Sequence, residues 1–452
     1  MDKSFIKKTG PVASMLRSYE EKNPARFHMP GHKGFIHPWD VTELSETDNL
    51  LIPSGAFEKA QRDLAEAYGA KLALFCTGGS TAGVLAMLLA LPQKSTVALC
   101  RNAHKSAVSG LILGGHKPVW LMPEGVNGQV SASSVESALK KYPETAAVLV
   151  TSPDYMGRCA DLAAIFRVCK AHGALLLVDG AHGAHLALSD ALPPSPGAFA
   201  DMWVTSAHKT LPCPNQGAYL FANACEEASR LKDALFLVHT TSPSFLLLSA
   251  LDEAWRTAKS WDYGAHIQRL NNVRACIARI EGLNPGPSPH PSVSYADPTR
   301  LVISVTERGV TGYEADELLQ SYGIFMEMAD RNHLVAITSP ADPDEWYERL
   351  IAALIALPRR LEKALLEPPL PPLPEAVLLP REAAFLKRAS VPLKEAAGRI
   401  CAESFGIYPP GCAAAIPGER IDDAVVSAML SASEQGGTLF GVTGGCVQVI
   451  MD

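Results

Sequence analysis

Seven short apolar runs in the first half of the chain constrain its fold more than any other feature. They are Leu72–Cys76, Thr96–Cys100, Pro118–Met122, Ala146–Thr151, Ala174–Asp179, Met202–Ser206 and Gly217–Phe221. Strict alternation of apolar and polar residues would mark a sheet with one wet face. Runs without alternation mark strands covered on both faces. Helical patterns separate most of them, at Thr81–Leu91, Lys105–Leu113 and Ala160–His172, and one at Phe57–Tyr68 precedes the first. Gly69 and Gly173 stand where glycine C-terminal caps belong. Alternating strand and helix predicts an α/β fold, a mostly parallel seven-stranded sheet clothed by helices, in a domain of about 200 residues.

A chain of 452 residues exceeds one simple core, so further domains are expected. Residues 1–55, rich in His, Pro and Gly, read as an arm with little regular structure, and 56–265 as the large α/β domain. Helical segments from Ser244 to about Ile280 lead into a small α/β domain at 266–367. It carries strand-like Arg300–Val305 and His333–Thr338 and a helical stretch Pro343–Glu367. Asp342 would cap that stretch, Pro343 suits its first position and Pro358 would kink it. Prolines 368, 369, 371, 372, 374 and 380 mark an extended linker over 368–380, and 381–452 form a small C-terminal domain.

Composition removes several function classes. With 47% hydrophobic and 19% charged residues the chain is not a disordered one. A net charge of −7 offers no basic field for nucleic acid and mildly favours a cationic substrate. Ten cysteines without a C-x-x-C pair point to reduced thiols in a cytoplasmic enzyme, with neither disulfides nor a metal site. The N-terminus lacks the apolar core of a signal peptide, and no run of about 18 apolar residues suggests a membrane span.

A sheet of this kind binds ligands at the carboxyl ends of its strands. After the first run, Thr77-Gly78-Gly79-Ser80-Thr81 opens a helix; Gly79 lets the backbone approach an anion, and Ser80 and Thr81 add hydroxyls at a helix N-terminus. After the second comes His104, whose imidazole could stack on a flat ring. After the fourth, Asp154 and Tyr155 stand in a polar, proline-fixed loop. After the fifth come Asp179, Ala181, His182 and His185. After the sixth come His208 and Lys209, directly behind Ser206. A lysine and an aspartate at two strand ends of one sheet suit pyridoxal 5'-phosphate (PLP), the lysine as Schiff-base partner and the aspartate as partner of the pyridinium nitrogen. Each segment alone has a plainer explanation: a capped turn, a helix-start histidine, a surface lysine. Their joint occurrence at successive strand ends points to one cofactor site.

Several motifs then match a known family. Phe27-His28-Met29-Pro30-Gly31-His32-Lys33-Gly34, the Arg101–Ser106 and Asp179–His185 segments, Ser206-Ala207-His208-Lys209-Thr210, Thr240–Ser244, Tyr408–Gly411 and Pro417–Arg420 run through nearly the whole chain. With these the chain resembles the bacterial-type PLP-dependent ornithine/lysine/arginine decarboxylases, on the aminotransferase-like fold (fold type I), in the short form without an N-terminal wing domain. The resemblance implies that Lys209 forms the internal aldimine, Asp179 pairs with the pyridine nitrogen, and His104 and Ala181 cover the ring's two faces. It also implies that Ser80, Thr81, Ser206 and His208 hold the phosphate, with Gly79 and His182 beside them. His32 and Lys33 of the arm and Thr241 and Ser242 would complete the site across a homodimer or larger homo-oligomer. Glu419 would approach the substrate, and Glu419 and Asp154 are the candidate partners for its distal cation. Two departures stand out: Gly180 replaces a usual acidic residue, and Asp154 a common threonine.

The activity implied is decarboxylation of arginine, lysine or ornithine to an amine, the kind of step that feeds polyamine biosynthesis. Two alternatives use the same apparatus: another fold type I enzyme, such as an aminotransferase or carbon–sulfur lyase, and a PLP-binding homologue without turnover. A transaminase needs an arginine on the substrate carboxylate, for which Arg300 is the candidate.

Overall fold

In the computed structural model, residues 10–223, 225–287, 289–360, 372–408 and 411–451 are described. The chain divides into two compact units, Met1–Leu91 with Leu175–Tyr263 and Pro92–Ala174 with Gly264–Asp452. All seven expected strands form: β1 (Leu72–Cys76), β2 (Thr96–Cys100), β3 (Lys117–Leu121), β4 (Thr145–Thr151), β5 (Leu175–Asp179), β6 (Met202–Ser206) and β7 (Ala218–Ala222). Three have the expected ends and the other four differ by one residue at one or both ends, the usual uncertainty of element boundaries.

The first unit holds β1, β7, β6 and β5, in that order. β7 runs antiparallel to both neighbours, while β6 and β5 are parallel with Asp179 opposite Val204. Trp203 and Phe221 face each other across β6 and β7 and stack with centroids 4.8 Å apart; Tyr68 stacks on Phe221 at 4.9 Å. Such cross-strand aromatic pairs add to what burial alone contributes. The helix Gly79–Leu89 packs on β6 closely enough that a Cβ at Gly83 would collide with Val204. A glycine in mid-helix is thus explained by backbone approach.

The arm is more ordered than its composition suggests. Pro11–Glu21 is a helix with Pro11 in its first turn and Val12, Ala13, Leu16 and Tyr19 buried. Its N-terminus is capped from a distant helix, Phe245–Lys259. Gly10 N–H donates to Glu253 Oε1 at 2.6 Å and Val12 N–H to Asp252 Oδ2 at 3.0 Å. Arg256 Nε donates to Asp252 Oδ1 at 3.0 Å, and Arg256 Nη2 to Asp63 at 2.8 Å. Two carboxylates at a helix N-terminus also match its partial positive charge. Residues 22–55 are turns and extended chain, with Phe27 and Phe35 exposed.

In the second unit β4, β2 and β3 are neighbours in that order, all parallel. Helix Ala132–Lys141, absent from the sequence reading, starts at a Ser131 cap; only Val135 and Leu139 are buried on it, a thin apolar stripe. A four-stranded antiparallel sheet contains Arg300–Ser304 and His333–Ile337 and packs on helices Gly312–Ser321 and Asp344–Ile355 around Leu301, Ile303, Leu319, Leu334 and Leu354. Pro343 is the residue before that last helix rather than its first. Asp342 instead accepts from Ser339 N–H and Tyr347 Oη, both at 2.8 Å. The helix ends at Ile355, short of Pro358; the rest of the expected stretch, 361–367, and the start of the linker lie outside the described residues. A last core gathers Phe405, Ile421, Val425, Val447 and Val449 between helix Asp423–Glu434 and short antiparallel strands. No helix among the described residues is long and apolar enough to cross a membrane.

The Asp252 cap generates a prediction. Asp252→Ala should destabilise the protein by about 1–2 kcal/mol, as loss of a helix N-cap does. It should also raise amide exchange at Val12–Leu16 above that of neighbouring helices. Unchanged protection there would show that the helix does not depend on this carboxylate.

Candidate active site

In the first unit the site is set by where β5 and β6 stop. Because they are parallel and in register, the chain leaves both at the same end. Pairing continues briefly past β5: Gly180 N–H donates to Val204 O at 2.9 Å and Ser206 N–H to Ala181 O at 3.3 Å. Asp179 is 6% exposed, and its Oδ1 accepts Ala181 N–H at 3.2 Å. A single helical turn, Ala207–Thr210, follows β6 at once and carries Lys209. Lys209 Nζ lies 3.0 Å from Nε2 of buried His182, joining the segment that leaves β5 to the one that leaves β6.

The segment expected to cradle an anion lies in the same unit. Gly78 precedes helix Gly79–Leu89 without any side-chain cap, so the first N–H groups of the helix have no side chain closing them off. Gly79 has φ +72°, which glycine adopts without cost, and its N–H donates to Gln216 O at 2.9 Å. Ser206 Oγ is buried with no hydrogen-bond partner among the described residues, and so is Thr210 Oγ1. A buried hydroxyl left without a partner costs about 1–3 kcal/mol, so these two are places where a bound acceptor is favoured. Thr210 was not picked out from sequence; it stands directly after the lysine, but nothing in its surroundings marks its hydroxyl as buried. His208 Nδ1 donates to Gly217 O at 2.9 Å, which fixes one ring proton. His239, also missed, accepts at Nε2 from Thr77 N–H at 2.9 Å and contacts Thr77 Oγ1 at 3.0 Å. Thr241 and Ser242 are exposed in the turn that follows it.

The arm residues are occupied within the arm. His32 accepts Gly34 N–H on Nδ1 at 3.0 Å and pairs through Nε2 with Asp40 at 2.9 Å. Lys33 Nζ donates to His28 O at 2.7 Å.

In the second unit the two acids expected to meet a substrate cation have partners within the chain. Glu419 was expected to meet a substrate cation, but Arg101 already grips it: Nη1 to Oε1 and Nη2 to Oε2, each at 2.7 Å. Glu419 is 2% exposed, Ile416 N–H adds a third bond at 3.0 Å, and Arg101 stacks over Trp120 at 4.6 Å. A bidentate pair with this much support holds the carboxylate's charge in place. Asp154 is likewise taken: Oδ2 accepts Arg158 Nε at 2.7 Å, and Oδ1 accepts Arg158 N–H at 2.9 Å and Met156 N–H at 3.0 Å. Both acids act as internal ties. Tyr155 Oη donates to Glu327 at 2.7 Å, and burial, then Glu327, pushes its phenol well above the usual range. His104 caps helix Lys105–Gly114, its Nδ1 accepting Ser106 N–H at 3.2 Å. The loop around it is bound to the C-terminal segment by a bridge from His104 to Cys412 and by Cys412 Sγ to Asn102 O at 2.9 Å. Arg300 is buried, with Asp297 and Glu327 opposing what burial does to its charge. No cluster of three or more metal-ligating side chains occurs among the described residues.

Comparison with known proteins identifies the family and the fold. The family described as Orn/Lys/Arg decarboxylase, major domain, matches residues 10–283, and its C-terminal domain matches 362–441. An arginine decarboxylase of Bacillus subtilis is 31% identical, over 92% of each chain, and one of Halalkalibacterium halodurans is 32% identical, over 91% of each. Among solved structures, lysine decarboxylase A of Pseudomonas aeruginosa superposes with a TM-score of 0.83, at 17% identity, over 98% of this chain and 81% of that one. The constitutive lysine decarboxylase of E. coli gives 0.81 at 17% identity, over 98% and 82%. An alanine–glyoxylate aminotransferase from Nostoc gives 0.55 at 20% identity, over 68% and 88%. The strand pattern, the Lys209 segment and these matches together place the chain in the Orn/Lys/Arg decarboxylase family, as a decarboxylase on the aminotransferase-like α/β fold.

Proposed function

We propose that this decarboxylase uses PLP held at Lys209 to convert a basic L-amino acid into the corresponding amine and CO2. The observation that carries the reading is the 3.0 Å approach of Lys209 Nζ to His182 where the β5 and β6 segments meet. Around it the donor set fits the cofactor. Asp179 is a buried carboxylate suited to a protonated ring nitrogen, and Ala181 is small enough to admit a ring face. Ser206 Oγ and Thr210 Oγ1 need acceptors, and the uncapped helix start with Ser80 and Thr81 offers backbone donors to a phosphate. When bound, PLP supplies the electron sink into which the bond to the departing carboxylate delivers its electrons.

The chain's own tasks follow. Lys209 provides the amine that attaches the cofactor, and His182 Nε2 can receive a proton from Lys209 Nζ, leaving the amine nucleophilic. Asp179 holds a proton on the ring nitrogen. His104 keeps the stacking role that the resemblance implies; with Nδ1 accepting Ser106 N–H, its proton is on Nε2. His32, Lys33, Thr241 and Ser242 are assigned to the site of a second copy in a homodimer. Asp154 and Glu419 are reassigned as ties that hold the Tyr155 loop and the C-terminal segment, since their charges are matched by Arg158 and Arg101. Among basic amino acids arginine is the first to test, because the relatives at about 31% identity carry the name arginine decarboxylase.

Two experiments test this. Purified protein with PLP and arginine, lysine or ornithine should release CO2 and one amine in equal amounts. Keto acid in place of CO2 would contradict decarboxylation. In a double-mutant cycle, Glu419→Gln alone should destabilise the protein by about 3–5 kcal/mol, the usual effect of breaking a buried pair. Glu419→Gln with Arg101→Met should recover part of that loss. A stable Glu419→Gln variant changed only in KM would return Glu419 to the substrate.

A further inference from the structure

We propose that His239 is a positioning residue for the phosphate cradle: as a neutral imidazole it holds the turn Thr77-Gly78-Gly79 and ties that turn to the loop of Thr241 and Ser242. The proposal rests on the reading of that turn as the cofactor's phosphate site.

His239 follows helix Cys225–Val238, 162 residues from Thr77 along the chain, yet its Nε2 accepts Thr77 N–H at 2.9 Å and is 3.0 Å from Thr77 Oγ1. A backbone N–H can only donate, so Nε2 must carry no proton and the ring proton must be on Nδ1. Nδ1 is buried beside the Thr240 backbone; burial lowers the ring's pKa and outweighs the opposing effect of that backbone. The bond from Thr77 thus requires the neutral ring with its proton on Nδ1.

The turn needs such a restraint. Two consecutive glycines give it more conformational freedom than any other pair would. Its ends are held from outside, Thr77 N–H by His239 and Gly79 N–H by Gln216 O. With those two donors directed elsewhere, the first-turn N–H groups at Ser80 and Thr81, which no side chain caps, can face an anion. Backbone donors bind an anion well only when they are held in place beforehand. The next residues are Thr240, Thr241 and Ser242, with Ser242 N–H donating to Thr240 Oγ1 at 3.1 Å. One imidazole thus roots that loop at the cradle. Thr77 itself is buried, so its N–H has little access to solvent in place of the imidazole.

The test uses the full chain and compares PLP with pyridoxal, which lacks the phosphate, by titrating the lysine adduct's absorbance. His239→Leu removes the acceptor, with His239→Ala as a second variant should leucine not fold. His239→Gln retains a side-chain oxygen that can accept Thr77 N–H. The leucine variant should bind PLP about tenfold more weakly, the loss of about one good hydrogen bond, with pyridoxal affinity unchanged. Glutamine should restore PLP binding to within about twofold. Equal weakening of PLP and pyridoxal, no weakening at all, or failure of glutamine to rescue would each overturn the role of His239 alone. If the wild-type protein binds PLP no better than pyridoxal, the phosphate reading of the cradle falls as well, and the proposal with it.

Discussion

Everything at the candidate site depends on the parallel, in-register pairing of β5 with β6. Asp179 lies opposite Val204 and β6 runs two residues further, to Ser206, so both chains leave the sheet at the same end and the segments after them approach each other. The 3.0 Å contact between His182 and Lys209 is the direct consequence. The pairing is buried on both faces, the Trp203–Phe221 stack fastens β6 to β7 on its other side, and Gly83 allows the helix Gly79–Leu89 onto β6. That helix also presents its uncapped N-terminus at the end of β1, so one packing choice places both the lysine segment and the proposed anion cradle.

The second theme is how buried charge is handled. Asp154 and Glu419 are acidic groups that could have faced a cationic substrate, but each is bound by an arginine of its own unit and by backbone N–H groups. Desolvating a carboxylate costs several kcal/mol, and a matched guanidinium with extra donors offsets that cost. Asp252 and Glu253 follow the same logic with a helix N-terminus as the counter-charge. Glu419, Asp252 and Glu253 thus join segments distant in sequence, while Asp154 closes its own loop. Arg101 with Glu419 and Cys412 with Asn102 bind the C-terminal segment to the loop of His104.

What could be read from sequence divides along the same line. The strands were legible because apolar runs depend only on local pattern, and Lys209 and Asp179 because their positions at strand ends follow from it. The helix Pro11–Glu21 was hidden because its capping groups lie some 240 residues away. Helix Ala132–Lys141 was hidden because two buried residues make too thin a stripe to stand out. The partners of Glu419 and His239 are tertiary: a carboxylate or an imidazole in a sequence shows what it could bind, while the fold decides what it does bind. Asp154 was the nearest to being legible, since Arg158 stands four residues on.

The central claim is that Lys209 carries the cofactor where β5 and β6 end. The most direct measurement is borohydride reduction of the PLP-loaded protein followed by peptide mapping. The account predicts one pyridoxyl-lysine, at Lys209, and none in the Lys209→Ala variant. A label on another lysine, or an undiminished label in that variant, would contradict it.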